Sequence, residues 1–164
     1  MQTAHGSEMK TAAFLPLALL LTGAAAPAPA LQGSGCQGPA SDVTLTVVVQ
    51  GLRSAKGLVA VSLYADDKSK FLVKKGSIYV GRVDAHAPAT RVCMHLPKAG
   101  TYALAVYHDE DASRKLNRSF IGMPTEGFGF SNNPKTFMSL PAFSAVRLNV
   151  PKSGMETSIK LRYP

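Results

Sequence analysis

The sequence has no tryptophan, only two cysteines, and few charged residues for a chain of 164, since Asp, Glu, Lys and Arg make up 17% of it. It also has no Gly-X-Y period and no heptad series, which excludes collagen-like and coiled-coil architectures. Only one long apolar stretch is present, so a polytopic membrane protein is excluded as well. The low charge and the 46% hydrophobic content argue against extensive disorder. The length predicts one domain.

The first thirty residues have the pattern of a secretory signal peptide. From Met9, one Lys precedes an apolar run over residues 12–21, and small residues then lead to Ala28-Pro29-Ala30, a typical cleavage sequence. The residues before Met9 add nothing that such a peptide needs, so translation starts at either Met1 or Met9. The apolar run is about half of the roughly twenty residues that span a bilayer. Cleavage is therefore predicted, with no transmembrane anchor left afterwards, and residues 1–30 are assigned to the signal peptide.

The remainder of the chain is a series of short segments rich in β-branched residues. Residues 59–63 and 102–106 alternate large and small side chains, which is the period of a strand with one face on a core. Gly and Pro turns separate the segments. Seven segments predict an all-β fold, a seven-stranded antiparallel β-sandwich over residues 43–164, preceded by a flexible lead-in over residues 31–42. The predicted strands are residues 43–49, 58–64, 78–83, 90–96, 101–108, 145–150 and 157–162.

A long segment without a predicted strand, residues 109–143, separates the fifth strand from the sixth. Connections longer than about 15 residues are uncommon in compact domains and are usually functional or disordered. Disorder does not fit here, because five of the six phenylalanines that follow the signal peptide lie in this segment. We therefore predict a packed loop that lies over one end or edge of the sandwich. These phenylalanines are Phe120, Phe128, Phe130, Phe137 and Phe143.

Three blocks of sequence carry a family resemblance: LPKAGTYALAVYHDED at 96–111, GMPTEGFGFSNN at 122–133 and PAF at 141–143. They resemble the bacterial family known as domain of unknown function 2141, a group of small exported proteins, over about residues 43–163. The resemblance implies a transthyretin-like or immunoglobulin-like sandwich and a periplasmic or secreted location. It implies no activity.

The same resemblance implies a possible metal loop. The family's loop is similar to His-Asp-x-Asn-x-Asn-Gly-x-x-Asp, which resembles a calcium loop with oxygen ligands at alternate positions. This sequence departs from the pattern, because Arg114 replaces the glycine and Phe120 replaces the bidentate glutamate. The alternative is a solvated turn in which residues 109–111 form ion pairs with the cations of residues 114–118. No cofactor is therefore expected, and calcium remains the open alternative. The matching positions are Asp109, Asp111, Ser113 and Asn117.

The two cysteines indicate the compartment. In an oxidising compartment, Cys36 and Cys93 are predicted to form a disulfide. Two free thiols are the alternative. A lipid anchor at Cys36 is disfavoured, because Gly33-Ser34-Gly35 lacks the aliphatic residue that usually precedes a lipidated cysteine.

No catalytic motif is present: neither a zinc-protease helix, a nucleophile elbow, a phosphate loop nor a dinucleotide fingerprint occurs in the sequence. His108, Asp109 and Glu126 could be imagined as an acid and base set, but nothing in their spacing requires it. We therefore expect a protein that is not an enzyme. The alternative is a metal-dependent or hydrolytic activity in residues 108–133.

The net charge of +8 favours loose attraction to anionic surfaces such as lipids or polyanionic glycans. Export makes nucleic acid an improbable partner. We expect a binding or structural module of the periplasm or cell envelope that recognises a protein, peptide or glycan through the long loop, where rings lie beside amides. The alternative is that these residues only close one end of the sandwich. The predicted binding residues are Glu126, Phe128, Phe130, Ser131, Asn132 and Asn133.

Overall fold

The computed structural model of the chain describes residues 35–135 and 140–164. The predicted signal peptide, the residues up to 34 and Phe137 lie outside the described residues. Among the described residues, no helix has the length and apolar character needed to cross a bilayer. The elements are β1 (Val43–Gln50), β2 (Leu58–Ala65), β3 (Tyr79–Asp84), β4 (Ala89–Leu96), β5 (Gly100–Asp109), β6 (Phe128–Phe130), α1 (Phe143–Val146), β7 (Arg147–Val150) and β8 (Met155–Lys160).

The strands form two sheets. The first has the order β4-β1-β8, and the second has the order β3-β2-β5-β6, with β7 also pairing with β5. The all-β prediction is confirmed. The count of seven strands is wrong, since the described residues contain eight, and the sheets are not wholly antiparallel, because β1 and β8 run parallel.

The alternating side chains explain how the two sheets enclose one core. Strand β4 alternates half-buried and buried residues along its whole length, as expected for a strand with one face on a core. Leu45 of β1, Leu63 of β2 and Leu104 of β5 are fully buried and belong to the same hydrophobic cluster as Ile159 of β8. Both sheets therefore contribute their inner faces to one core.

Strand β6 lies inside the segment that was predicted to contain no strand. Three residues are too few to show an alternating pattern, and two of the three are the rings of Phe128 and Phe130. The strand forms because Ala105 and Tyr107 of β5 offer an edge that pairs with it. Its existence depends on a tertiary contact and not on local sequence.

The long loop is only partly packed. Phe130 is buried and Phe128 and Phe143 are half-buried, as predicted, but Phe120 is fully exposed at 101%. The prediction of a packed loop is wrong at this residue. Phe120 lies at the tip of a turn, where none of the described residues covers it.

A second, smaller cluster covers part of the outer face of the five-stranded sheet. Tyr64 of β2 and Phe130 of β6 lie on this face, and Phe71 packs against them from the β2–β3 connection. The Phe71 ring centroid is 5.2 Å from that of Tyr64, 6.2 Å from that of Phe130 and 5.5 Å from that of Phe143. The offset and edge arrangements stabilise the cluster beyond the area that it buries.

The predicted disulfide between Cys36 and Cys93 is present. It fastens the segment before β1 to strand β4, and backbone hydrogen bonds extend the attachment. Gln37 N donates to Cys93 O at 2.7 Å, and His95 N donates to Gln37 O at 2.8 Å. The first described residues are thus joined to the sheet covalently and by hydrogen bonds.

We predict that replacing both cysteines, Cys36→Ala with Cys93→Ala, lowers the free energy of unfolding. The disulfide closes a loop of 57 positions, and loop-closure entropy gives a loss of about 4 kcal/mol. Urea denaturation of the variant and of the oxidised parent measures it. Alkylation of both thiols in the unreduced parent, detected by intact mass, would contradict the disulfide itself.

Candidate functional site

The end of β5 places a buried histidine at the base of the long loop. His108 is fully buried. Its Nε2 lies 2.8 Å from Lys56 O and its Nδ1 lies 2.6 Å from the Tyr163 hydroxyl. Because a carbonyl only accepts, Nε2 carries the proton, and in the neutral ring Nδ1 accepts from the hydroxyl of Tyr163. Both ring nitrogens are therefore engaged, and they join the β1–β2 connection to the residues after β8.

Residues 109–117, here called the acidic loop, wrap around two aspartates. The Asp109 carboxylate accepts from Ser113 N at 2.9 Å and from Arg114 N at 2.8 Å. The Asp111 carboxylate accepts from Asn117 Nδ2 at 2.8 Å and from Ser113 N at 3.1 Å. These donors, the Asn117 amide first, lower the pKa of Asp111 to about 2. The four residues predicted from the calcium-like pattern thus lie together, joined by their own hydrogen bonds.

Glu126 completes this cluster from the far end of the loop. Its carboxylate is buried and accepts from Asn117 N at 2.9 Å and from Glu110 N at 3.1 Å. Burial raises the pKa of Glu126, and the two N–H donors oppose that rise. Each of Asp109, Asp111 and Glu126 offers one oxygen, and these oxygens lie within 4.8 Å of one another. These are the groups that could hold a cation in this part of the structure.

The sequence analysis did not assign Glu126 to the metal set. A signal was available, because Glu126 is the only carboxylate between residues 112 and 135. The predicted ion pairs of residues 109–111 with residues 114–118 are not seen among the described contacts. Glu110 pairs instead with Arg53 and accepts from the Ser54 hydroxyl, and the Arg53 guanidinium holds the pKa of Glu110 below its usual range.

Ser131, one of the predicted binding residues, is fully buried and completes a sheet edge. Its N–H donates to Leu104 O at 3.1 Å, and its hydroxyl accepts from Leu104 N at 3.0 Å. The same hydroxyl donates to Val146 O. Its N–H and its hydroxyl are both used within the protein.

Asn132 and Asn133 also bond to the backbone. Asn132 Nδ2 donates to Arg147 O at 2.7 Å. Asn133 Nδ2 donates to Ser158 O at 2.9 Å, and its Oδ1 accepts from Lys160 N at 2.7 Å. These side chains tie the turn after β6 to α1, β7 and β8.

The outer face of the five-stranded sheet carries an apolar groove of about 430 Å³, here called the outer-face groove. The half-buried Ala105 of β5 lies in its lining. Among its lining residues, Arg118 is the only charged one, and no Asp or Glu is present. Its larger lining side chains include Tyr64, Leu72, Tyr107, Met123, Phe128 and Leu140.

Some of the predicted binding residues line clefts, and the others bond to backbone groups instead. Phe128 and Phe130 line both the outer-face groove and a smaller cleft of about 290 Å³, which Asn133 also borders. Glu126, Ser131 and Asn132 line neither. The sequence analysis missed the groove residues of β2 and of the β2–β3 connection, because nothing local shows that they face the long loop.

We predict that Arg114→Gly stabilises the protein. Arg114 has φ of +62°, a left-handed conformation that costs an ordinary residue about 1 kcal/mol and glycine almost nothing. The free energy of unfolding should rise by roughly 0.5–1 kcal/mol, measured by urea denaturation. The matched control is Lys115→Gly at the next exposed position, which should lower stability. Equal losses in both variants would contradict the assigned backbone strain.

No match was found among curated proteins or among solved structures. Residues 47–159 match the family described as an uncharacterized protein conserved in bacteria, domain of unknown function 2141. The matched range runs from β1 into β8 and includes the acidic loop, Glu126 and all of the lining residues of the outer-face groove. The chain belongs to this bacterial family.

Proposed function

We propose that the protein is an exported, non-enzymatic binding module of the bacterial cell envelope. Its binding surface is the outer-face groove, and its ligand is an apolar peptide segment that carries negative charge, presented by an envelope partner. The groove is the observation that carries the proposal, because an open apolar cleft on a sheet face is where such a ligand gains most by leaving water.

The lining of the groove favours a peptide over a glycan. A glycan site needs amides and carboxylates that are free to bond with hydroxyls, but Asn132 and Asn133 donate to backbone carbonyls instead. The groove offers Met123, Leu72 and Leu140 beside the rings of Tyr64 and Tyr107. Such flexible and aromatic side chains suit apolar side chains of a peptide.

The charge around the groove selects an acidic ligand. Arg118 lines it without any carboxylate in the lining, and Arg82 lies close by, with Nη2 3.5 Å from the Tyr107 hydroxyl. The net charge of +8 adds long-range attraction for an anionic partner.

The surroundings of His108 support a non-enzymatic role. A general base must present a free nitrogen to a substrate, and this ring is fully buried with both nitrogens within hydrogen-bond distance of protein atoms. The disulfide supports export, because such bonds persist in oxidising compartments. Intact mass of the protein recovered from the periplasm tests that location, and a mature chain that begins at Leu31 is expected.

We expect calcium to leave the thermal midpoint unchanged. The carboxylates of Asp109, Asp111 and Glu126 already accept internal donors, and residues 112–125 carry three cations without a carboxylate of their own. The measurement compares protein in chelator with protein in millimolar Ca²⁺. A rise in the midpoint that disappears in Asp111→Asn but persists in Asp42→Asn would overturn this expectation and assign the cluster to the metal.

The groove is tested with 8-anilinonaphthalene-1-sulfonate, an apolar anion whose fluorescence rises in such clefts. We expect the parent to bind this probe in its native state, and Ala105→Phe, which fills the groove, to weaken binding by about tenfold. The matched control is Ala55→Phe on the exposed β1–β2 connection, which should bind as the parent does. Thermal midpoints check that each variant is folded.

The class of ligand is tested by competition. A hexapeptide of alternating leucine and glutamate should displace the probe, and the leucine and lysine analogue should be weaker, because Arg118 is the charged lining residue. Equal displacement by both peptides, or unchanged probe binding in Ala105→Phe, would contradict the proposal.

A further inference from the structure

A short hairpin in the long loop lines one part of the groove, through Arg118, Gly122, Met123 and Pro124, and ends in an exposed turn. Residues 117–125, here called the arm, are closed by backbone hydrogen bonds: Thr125 N donates to Asn117 O at 2.9 Å, and Ser119 N donates to Met123 O at 2.8 Å. Gly122 N donates to Ser119 O at 2.9 Å and closes the turn. The arm is therefore an ordered projection with a defined tip.

The tip presents apolar side chains to water. Phe120 is 101% exposed, Ile121 is 69% exposed and Met123 is 41% exposed. These are three of the six large hydrophobic side chains that are exposed among the described residues. Single exposed apolar residues are ordinary on protein surfaces, but a cluster concentrated on one projecting turn marks an interaction site.

Three cations lie close to this apolar tip in the sequence. The stretch 112–125 contains Arg114, Lys115 and Arg118 and no Asp or Glu. Arg118 Nη1 donates to Gly122 O at 2.9 Å, which keeps one guanidinium directly behind the tip. The nearest carboxylates are engaged elsewhere, since Asp111 accepts from Asn117 and Glu126 is buried.

We propose that the arm docks the protein on an anionic lipid surface. Phe120 and Ile121 insert among the headgroups and the upper acyl chains, and Lys115, Arg114 and Arg118 contact lipid phosphates. At a membrane interface, charged headgroups lie outside and hydrocarbon lies inside. An apolar tip with basic residues close to it in the sequence matches that arrangement. A convex tip of two side chains is also far smaller than the about 1,000 Å² that a stable protein interface buries.

The experiment is vesicle flotation with protein recovered from the periplasm. Vesicles of phosphatidylcholine mixed with phosphatidylglycerol are compared with vesicles of phosphatidylcholine alone, at low and high ionic strength. We expect binding to the mixed vesicles only, weakened by salt. Phe120→Ser with Ile121→Ser should reduce the partition coefficient by roughly tenfold or more, and Lys115→Gln by about fivefold.

Two matched variants remove the same kinds of side chain from other parts of the surface. Val73→Ser with Ile78→Ser removes two exposed apolar side chains from the β2–β3 connection, and Lys98→Gln removes a cation from the β4–β5 turn. Both should bind the mixed vesicles nearly as the parent does. All variants keep the residues of the arm's backbone hydrogen bonds, and thermal midpoints verify folding.

Three results would overturn the proposal. In the first, the parent fails to bind mixed vesicles. In the second, the tip variant binds as the parent does, which would leave only unspecific attraction by net charge. In the third, the parent does not bind vesicles but self-associates, and the tip variant abolishes the self-association. That result would assign the tip to a contact with a second copy of the chain. The tip variant leaves the lining of the groove unchanged, because Phe120 and Ile121 do not line it, so its failure to bind vesicles is distinguishable from a failure of the groove.

Discussion

The hydrogen-bonding edge of β5 is the constraint on which the rest of the molecule depends. One edge of β5 pairs with β2, from Tyr102 to Asp109. The other edge must also be paired, because unpaired backbone groups inside a protein are costly. β7 pairs with Gly100–Ala103, β6 pairs with Ala105–Tyr107, and Ser131 bonds to both backbone groups of Leu104 between them.

This edge explains why the long segment after β5 is divided into two parts of different character. In the part that closes the edge, residues 127–131 are buried or half-buried, and the hydroxyl of Ser131 and the amides of Asn132 and Asn133 bond to backbone. The part between Asp109 and Glu126 does not pair with the edge of β5, so hydrogen bonds within this part stabilise it. The carboxylates of Asp109, Asp111 and Glu126 take up the N–H groups of the acidic loop, and the arm then extends beyond them. The arm and the groove beside it therefore keep apolar side chains open to solvent.

Much of the fold could be predicted from local sequence, because β-branched segments separated by Gly and Pro turns mark seven of the eight strands, and residues 59–63 and 102–106 alternate. Strand β6 could not, since Phe128–Phe130 is too short to have a period and forms only where β5 offers an edge. The candidate site could also be predicted only in part. The pattern around Asp109 placed four residues of the acidic loop together, but the contribution of Glu126 depends on the return of the chain along β5. Asn132 and Asn133 resembled free binding groups, because sequence does not show which backbone carbonyls they meet.

The acidic loop also explains how a calcium-like backbone can persist with Arg114 in place of glycine. Ser113 N and Arg114 N both donate to Asp109, and the Asn117 amide donates to Asp111. Charge-assisted hydrogen bonds of this kind are stronger than neutral ones, so they offset the cost of the left-handed conformation at Arg114. Donors of the loop itself thus bond to both carboxylates. Basic side chains can then occupy its surface, and they lie where the arm leaves the sheet. The same substitutions that weaken the resemblance to a metal loop place basic residues before the exposed tip and Phe120 at the tip itself.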